Sequence, residues 1–180
     1  MKVIDYIEQI NDEEIKEGAF KLYELIVRDY GFLEKPAARG MHQAYKGGLH
    51  QHTCQVIEGA LDINELYDRP FKDDEVILAG FLHDLDKLFV YHFDEQNNIV
   101  IEKKPLSGIS LVLSLCIKVG LMPPVEVISA VEFAHGGWSD FSHNRSIRPC
   151  GLHVIIHAAD SLSTFFGEGG IKNKGGIRNE

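Results

Sequence analysis

Apolar and polar positions along this chain recur with the period of a helix far more often than with that of a strand. In DEEIKEGAFKLYELIVRDY, residues 12–30, Ile15, Phe20, Leu22, Leu25 and Ile26 follow an approximate helical spacing. Acidic residues fill its first turn, where the helix macrodipole favours them. The segment AYKGGLHQHTCQVIEGALDINELY passes from a glycine-containing turn into a second helical pattern, and DDEVILAGFLHDLDKLFVY gives a third with an acidic start. Both carry histidines among apolar residues. LSGISLVLSLCIKVG ends at Gly120 as a helix would, PPVEVISAVEFAH opens with prolines suited to a first turn, and LHVIIHAADSLSTFF is again apolar and helical. One stretch departs from this rhythm. In YHFDEQNNIVIEK, residues 91–103, the turn-prone Gln96, Asn97 and Asn98 separate short β-favouring runs, which predicts a small hairpin. HGGWSDFSHNRSIRPCG reads as a long loop and GEGGIKNKGGIRNE as a mobile tail. No internal repeat or domain boundary interrupts the pattern. The expected architecture is all-α, a single domain of about six or seven helices over residues 1–166, with residues 167–180 as a flexible tail.

Composition narrows the function more than the fold. The 180 residues suit one domain, and 44% hydrophobic with 25% charged residues is ordinary for a globular protein. No apolar run reaches the roughly 20 residues needed to cross a bilayer, and the opening MKVIDYIEQINDEE turns acidic where a signal peptide would turn apolar, so a cytoplasmic location is expected. Cys54, Cys116 and Cys150 are odd in number and far apart, which suggests buried hydrophobes rather than disulfides or a thiolate zinc site. Eighteen Lys and Arg against 27 Asp and Glu leave a net charge of -9, unfavourable for binding a long nucleic acid. A small phosphorylated substrate is still compatible, because one metal and a few local cations can dominate the field within a pocket.

The chemistry concentrates at His83 and Asp84, adjacent in the apolar FLHDLDKLF. Burying an imidazole beside a carboxylate is costly unless something pairs with them, and a metal ion would pair with both. Neighbours on a helix point about 100° apart, so a shared ion needs further ligands from other elements. His52 and Asp160 lie on two other expected helices. Two histidines with two carboxylates suit Mn, Fe, Co, Ni or Zn better than Mg. The competing reading is a buried hydrogen-bonded His83–Asp84 pair, with His52 and Asp160 on separate solvated faces.

GGLHQHT before an apolar helix, HDLDK about thirty residues later, and HAAD near the end together resemble the HD superfamily of metal-dependent phosphohydrolases. AYKGGLHQHT is similar to the opening of HD domains in bacterial 3′-to-5′ exoribonucleases and their relatives. The resemblance covers roughly residues 42–165 and implies an α-helical domain binding one divalent ion through His52, His83, Asp84 and Asp160. It also selects His52 over His50. Where the family usually has glycine, Asp86 stands here, either as a solvated helix residue or as an acceptor for water near the ion. Lys87, four residues after His83, would share its helical face and contact a phosphate, with a plain surface lysine as the alternative. His135 falls where related domains place a histidine near the active site; it would protonate a leaving group or orient phosphate, or else cap a helix. Relatives with a second metal read GHI where this chain reads SGI at Ser107–Ile109, which favours a mononuclear site. His153 and His157 share a face with Asp160, and could line the pocket, satisfy core hydrogen bonds or build a second zinc site. Trp138 and Phe141 offer stacking, and Arg145 and Arg148 offer phosphate binding. The expected catalytic groups are Asp84, Lys87 and His135.

The resemblance implies a hydrolase acting on a deoxynucleotide, as a nucleotidase or a triphosphohydrolase. A 3′-to-5′ exonuclease is the runner-up, a cyclic-nucleotide phosphodiesterase a further enzyme alternative, and a nucleotide-binding HD domain without turnover a reading of another class. Related domains are often oligomers, so a homo-oligomer is compatible with the chain.

Overall fold

The computed structural model describes residues 1–40, 42–136 and 150–169. Among them the chain forms seven α-helices and one two-stranded sheet: α1 Val3–Ile7, α2 Glu13–Tyr30, α3 Gly48–Leu66, α4 Asp73–Leu82, β1 Tyr91–Phe93, β2 Ile99–Ile101, α5 Gly108–Val119, α6 Val125–Phe133 and α7 Leu152–Phe166. The all-α expectation holds, and so does the hairpin, whose antiparallel register pairs Tyr91 with Ile101 and Phe93 with Ile99.

Local chemistry accounts for the helix limits. Asp12 caps α2, its Oδ1 accepting from the backbone N–H groups of Glu14 and Ile15 at 3.1 Å each, and Gly31 ends that helix in the left-handed conformation. Ser107 caps α5 by accepting from Ser110 N–H. Helix α1 has no sequence signature because five residues are too few to display a period. The carboxylate of Asp74 ties α4 to the chain before α2, accepting from Asn11 N–H and Asp12 N–H at 3.0 Å each.

Helix α3 is the centre of the packing. It lies against α4 and α7, while α6 closes over both of those. Leu49, Val56, Ile57 and Ala60 of α3 are buried in one core with Leu78 and Phe81 of α4 and Ile156 and Ala159 of α7. The approach of α3 to α4 is close: a Cβ on Gly80 would sit 2.9 Å from Ile57 Cγ1. Consequently the three helices bearing His52, His83 and Asp160 meet along one seam.

One expectation needs correction. The third helical pattern does not continue through HDLDK: α4 stops at Leu82, His83 is its C-cap, Asp84 takes φ -121° and ψ 11°, and Leu85–Phe89 form a 3-10 turn. An unbroken helix would splay the adjacent His83 and Asp84 apart, and the break turns both toward one point. Lys87 therefore meets Asp84, three residues back as a 3-10 turn dictates, rather than sharing a face with His83. Cys54 and Cys116 are buried, as expected, and Cys150 is partly exposed. Gly167–Gly169, at the start of the expected tail, are described and hydrogen-bonded: Gly167 N–H donates to Ser163, and the carbonyls of Glu168 and Gly169 accept from Gln43. Residues 170–180 lie outside the described residues.

Candidate metal centre

Four elements converge at the seam. His52 comes from the second turn of α3, His83 and Asp84 from the end of α4, Asp160 from α7, and His135 from the residues just after α6. His52 Nε2 lies 3.0 Å from Asp160 Oδ1, 3.3 Å from Asp84 Oδ2 and 3.4 Å from His83 Nε2. His83 Nε2 is 3.3 Å from the same Asp84 oxygen. His52, His83 and Asp84 are almost wholly buried, and the Asp160 side chain is 16% exposed.

The hydrogen-bond network fixes which nitrogens face inward. His83 Nδ1 lies 2.7 Å from the carbonyl of Gly80, which can only accept, so Nδ1 carries the hydrogen and Nε2 presents a lone pair. For His52 the assignment runs through three residues. Gln55 Nε2 donates to the Glu168 carbonyl at 3.2 Å, leaving Gln55 Oε1 as the acceptor for the Ser163 hydroxyl at 2.8 Å. Ser163 Oγ, having given its hydrogen away, accepts from His52 Nδ1 at 3.0 Å. Two Nε2 lone pairs and two carboxylates therefore face one another in a buried space, which is the donor set of a divalent transition-metal site.

Asp84 supplies the sharpest sign. Both carboxylate oxygens are buried and neither accepts a well-directed hydrogen bond, although Lys87 Nζ stands 2.5 Å from Oδ2 and His135 Nε2 3.3 Å from Oδ1. Burial would raise its pKa, but Lys87, His83 and His135 outweigh that and hold the carboxyl well below the usual range. Asp160 is likewise lowered in the ion-free protein, burial being overcome by hydrogen bonds from His135 and from His52 when its Nε2 also carries a proton. His52 and His135 are pushed down by burial but raised further by those two carboxylates, His135 to about 10. A divalent ion competes with these protons for the same lone pairs.

The centre opens onto a cavity of about 710 Å³ lined by Lys87, His135, Asp160 and His157, with Ala37, Ala38, Tyr91 and Phe165 on its apolar walls. His157 donates from Nδ1 to the Ala134 carbonyl at 2.8 Å, and His153 bonds the Cys150 carbonyl, so both satisfy backbone acceptors. His50 points elsewhere, receiving Val3 N–H at 3.4 Å and packing on Phe32. Asp86 is neither solvated nor turned to the centre: it is buried, with Lys104 Nζ 2.6 Å away. Trp138, Phe141, Arg145 and Arg148 lie outside the described residues. Sequence reasoning did not single out His42, which lines the cavity beside His52 with ring centroids 4.9 Å apart. Burial pushes its pKa down to about 4, with His52 and Lys87 adding to the fall.

Fold and centre together define a helical domain with a His52, His83 and Asp160 group at its seam that could hold a metal ion. The profile of the HD domain family matches residues 49–164. A curated relative, the dihydroneopterin 2′,3′-cyclic phosphate phosphodiesterase of Methanocaldococcus jannaschii, is 26% identical over 185 aligned residues, covering 91% of this chain and 68% of the relative. No solved structure matches significantly. This chain belongs to the HD domain family, and its site is that of a metal-dependent phosphohydrolase. No helix among the described residues is long and apolar enough to cross a membrane.

Proposed function

We propose that the protein opens a small 2′,3′-cyclic phosphate diester on a heterocycle-bearing scaffold, with one divalent ion held by His52, His83, Asp84 and Asp160. The observation that carries the metal-dependent part is the buried Asp84 carboxylate without directed hydrogen bonds, facing two Nε2 lone pairs. The likeness to the archaeal phosphodiesterase supports the diester as substrate. Mn, Fe, Co, Ni or Zn suits the mixed nitrogen and oxygen donors, and Mg suits them less.

When bound, the ion supplies Lewis acidity to a phosphoryl oxygen and acidifies an attacking water. The chain's own groups complete the reaction. Water adds to phosphorus, one ester P–O bond breaks, and the ring opens to a monoester. Lys87, 17% exposed at the cavity edge, offsets charge growing on the phosphoryl oxygens. His135, with Nε2 3.3 Å from Asp84 Oδ1 and Nδ1 3.5 Å from Asp160 Oδ2, is placed to give a proton to the departing ribose-type oxygen. Ala37, Ala38, Tyr91 and Phe165 accept the apolar body of the substrate. Trp138, Arg145 and Arg148 are proposed as further substrate contacts on sequence grounds alone.

A second reading, hydrolysis of deoxynucleoside monophosphates or triphosphates, is favoured by the SGI at Ser107–Ile109. Gly108, the first residue of α5 after the Ser107 cap, stands where the GHI of relatives with two metals has its histidine, which suits a one-ion site. Product-resolved assays of 2′,3′-cyclic nucleotides, a cyclic pterin phosphate, and nucleoside mono- and triphosphates, with each metal, separate the two. Ring opening to a monoester without orthophosphate release supports the diester reading. Release of orthophosphate or pyrophosphate from deoxynucleotides replaces it with the second. Stepwise shortening of oligonucleotides, or tight nucleotide binding without turnover, would overturn both.

A further inference from the structure

We propose that His42 is a substrate-contacting residue of this centre, donating its ring N–H to a phosphoryl oxygen. The assignment rests on the proposed phosphohydrolase reading and extends it to a residue outside the motif that identifies the family.

Both ring nitrogens of His42 are buried, and neither has a hydrogen-bond partner among the described residues. The neighbouring imidazoles differ: His52 has Ser163, His83 the Gly80 carbonyl, and His157 the Ala134 carbonyl. A buried polar ring without a partner costs free energy, which a ligand in the adjoining cavity would offset. His42 lines that cavity together with Lys87, His135 and Asp160. His42 thus borders the same cavity as those three groups.

The backbone beside it is built to hold that ring in place. Gln43 is wholly buried with φ 37°, a left-handed conformation that a glutamine adopts only when its surroundings demand it. Its backbone N–H donates to the Gly169 carbonyl at 3.0 Å, and its side-chain Nε2 donates to Gln55 Oε1 at 2.8 Å and the Glu168 carbonyl at 3.0 Å. Its carbonyl accepts from Ala37 N–H at 3.1 Å and Tyr45 N–H at 3.0 Å. Gly48 makes room, since a Cβ there would stand 1.8 Å from the Gln43 carbonyl oxygen. Gln55 belongs to the chain of bonds that orients His52, so the same residue fixes a metal-facing ring and the loop bearing His42.

A role as a metal ligand fits less well. His52, His83 and Asp160 form a group whose ligand atoms all lie within 4.8 Å of one another; Asp84 is outside it but has Oδ2 3.3 Å from both His52 Nε2 and His83 Nε2, an approach that neither ring nitrogen of His42 makes. An imidazole carries one N–H in either neutral tautomer, and that donor suits a phosphoryl oxygen.

The test uses the full chain loaded with zinc, with inorganic phosphate as the probe. Calorimetry gives phosphate affinity for wild type, His42→Ala and His42→Gln, and elemental analysis gives zinc content. NMR follows the His42 ring of wild type during the phosphate titration. The expected result is roughly a ten- to hundred-fold loss of phosphate affinity in His42→Ala, with zinc content unchanged, partial recovery in His42→Gln, and a shifted His42 ring signal. Unchanged phosphate affinity, or loss of zinc from the folded variants, overturns the assignment. If neither variant folds, the wild-type titration decides: a His42 signal that ignores phosphate also overturns it. Failure of every phosphate ester as a substrate, with phosphate binding still dependent on His42, would refute the proposed hydrolysis and leave this contact standing.

Discussion

Replacing Ser163 by alanine tests the chain of bonds that aims His52 at the centre. Ser163 is buried on α7, and its hydroxyl stands between Gln55 Oε1 at 2.8 Å and His52 Nδ1 at 3.0 Å. Removing it strands a buried N–H donor, which costs about 1–3 kcal/mol. In a domain of this size that lowers Tm by roughly 2–12 °C in the metal-free protein. The metal pays a separate penalty, because Nδ1 no longer has an acceptor and the ring is free to turn or change tautomer. Loss of such an orienting partner typically weakens metal affinity about 10- to 100-fold, equivalent to about 1.4–2.8 kcal/mol. Chelator-competition calorimetry with zinc, beside thermal melts of the apo-protein, reads the two effects independently. A variant with the lower Tm but wild-type zinc affinity would refute the tautomer argument, since the hydrogen bond would then only support the fold.

Gly80→Ala gains up to about 1 kcal/mol of helix propensity but drives a methyl into Ile57, an overpacking cost of about 1–3 kcal/mol. Melting should show net destabilisation, and zinc calorimetry a weaker site, because α3 and α4 are forced apart beside His52 and His83. Lys87→Met removes the cation 2.5 Å from Asp84 Oδ2, so metal retention should be equal or better by elemental analysis while kcat/KM falls roughly 10²- to 10³-fold. Burial pushes the thiols of Cys54 and Cys116 from 9.0 up to about 11 and about 12. Raised folded-state values mean their contribution to stability is complete below pH about 9 and is lost as pH climbs through 11 to 12. Thermal melts should therefore weaken progressively above that point, and both thiols should resist alkylation at pH 8 in the native state.

Much of the fold was legible because α2, α3, α5 and α7 are long enough for the hydrophobic period to show, and α2, α5 and α7 end at glycines. His52, His83, Asp84 and Asp160 were legible through separate motifs in a fixed order, and the structure brings all four within one buried cluster. The break in α4 after Leu82 was not. FLHDLDKLF stays apolar across it, and the break serves the convergence of His83 and Asp84, a tertiary requirement without a local signature. Asp86 reads as a solvated residue from sequence because its partner, Lys104, arrives from beyond the hairpin. His42 gave the weakest signal, standing just upstream of AYKGGLHQHT. Its placement depends on Gln43 reaching Glu168 and Gly169 at the far end of α7, a contact no window along the chain displays.

The most direct test of the metal centre is anomalous diffraction from crystals grown with Mn or Zn, for wild type and Asp84→Ala. One peak per chain is expected in wild type, about 2.0–2.2 Å from His52 Nε2, His83 Nε2 and carboxylate oxygens of Asp84 and Asp160, with the peak lost or greatly weakened in the variant. An ion bound elsewhere, or one that stays fully occupied in Asp84→Ala, would contradict the account.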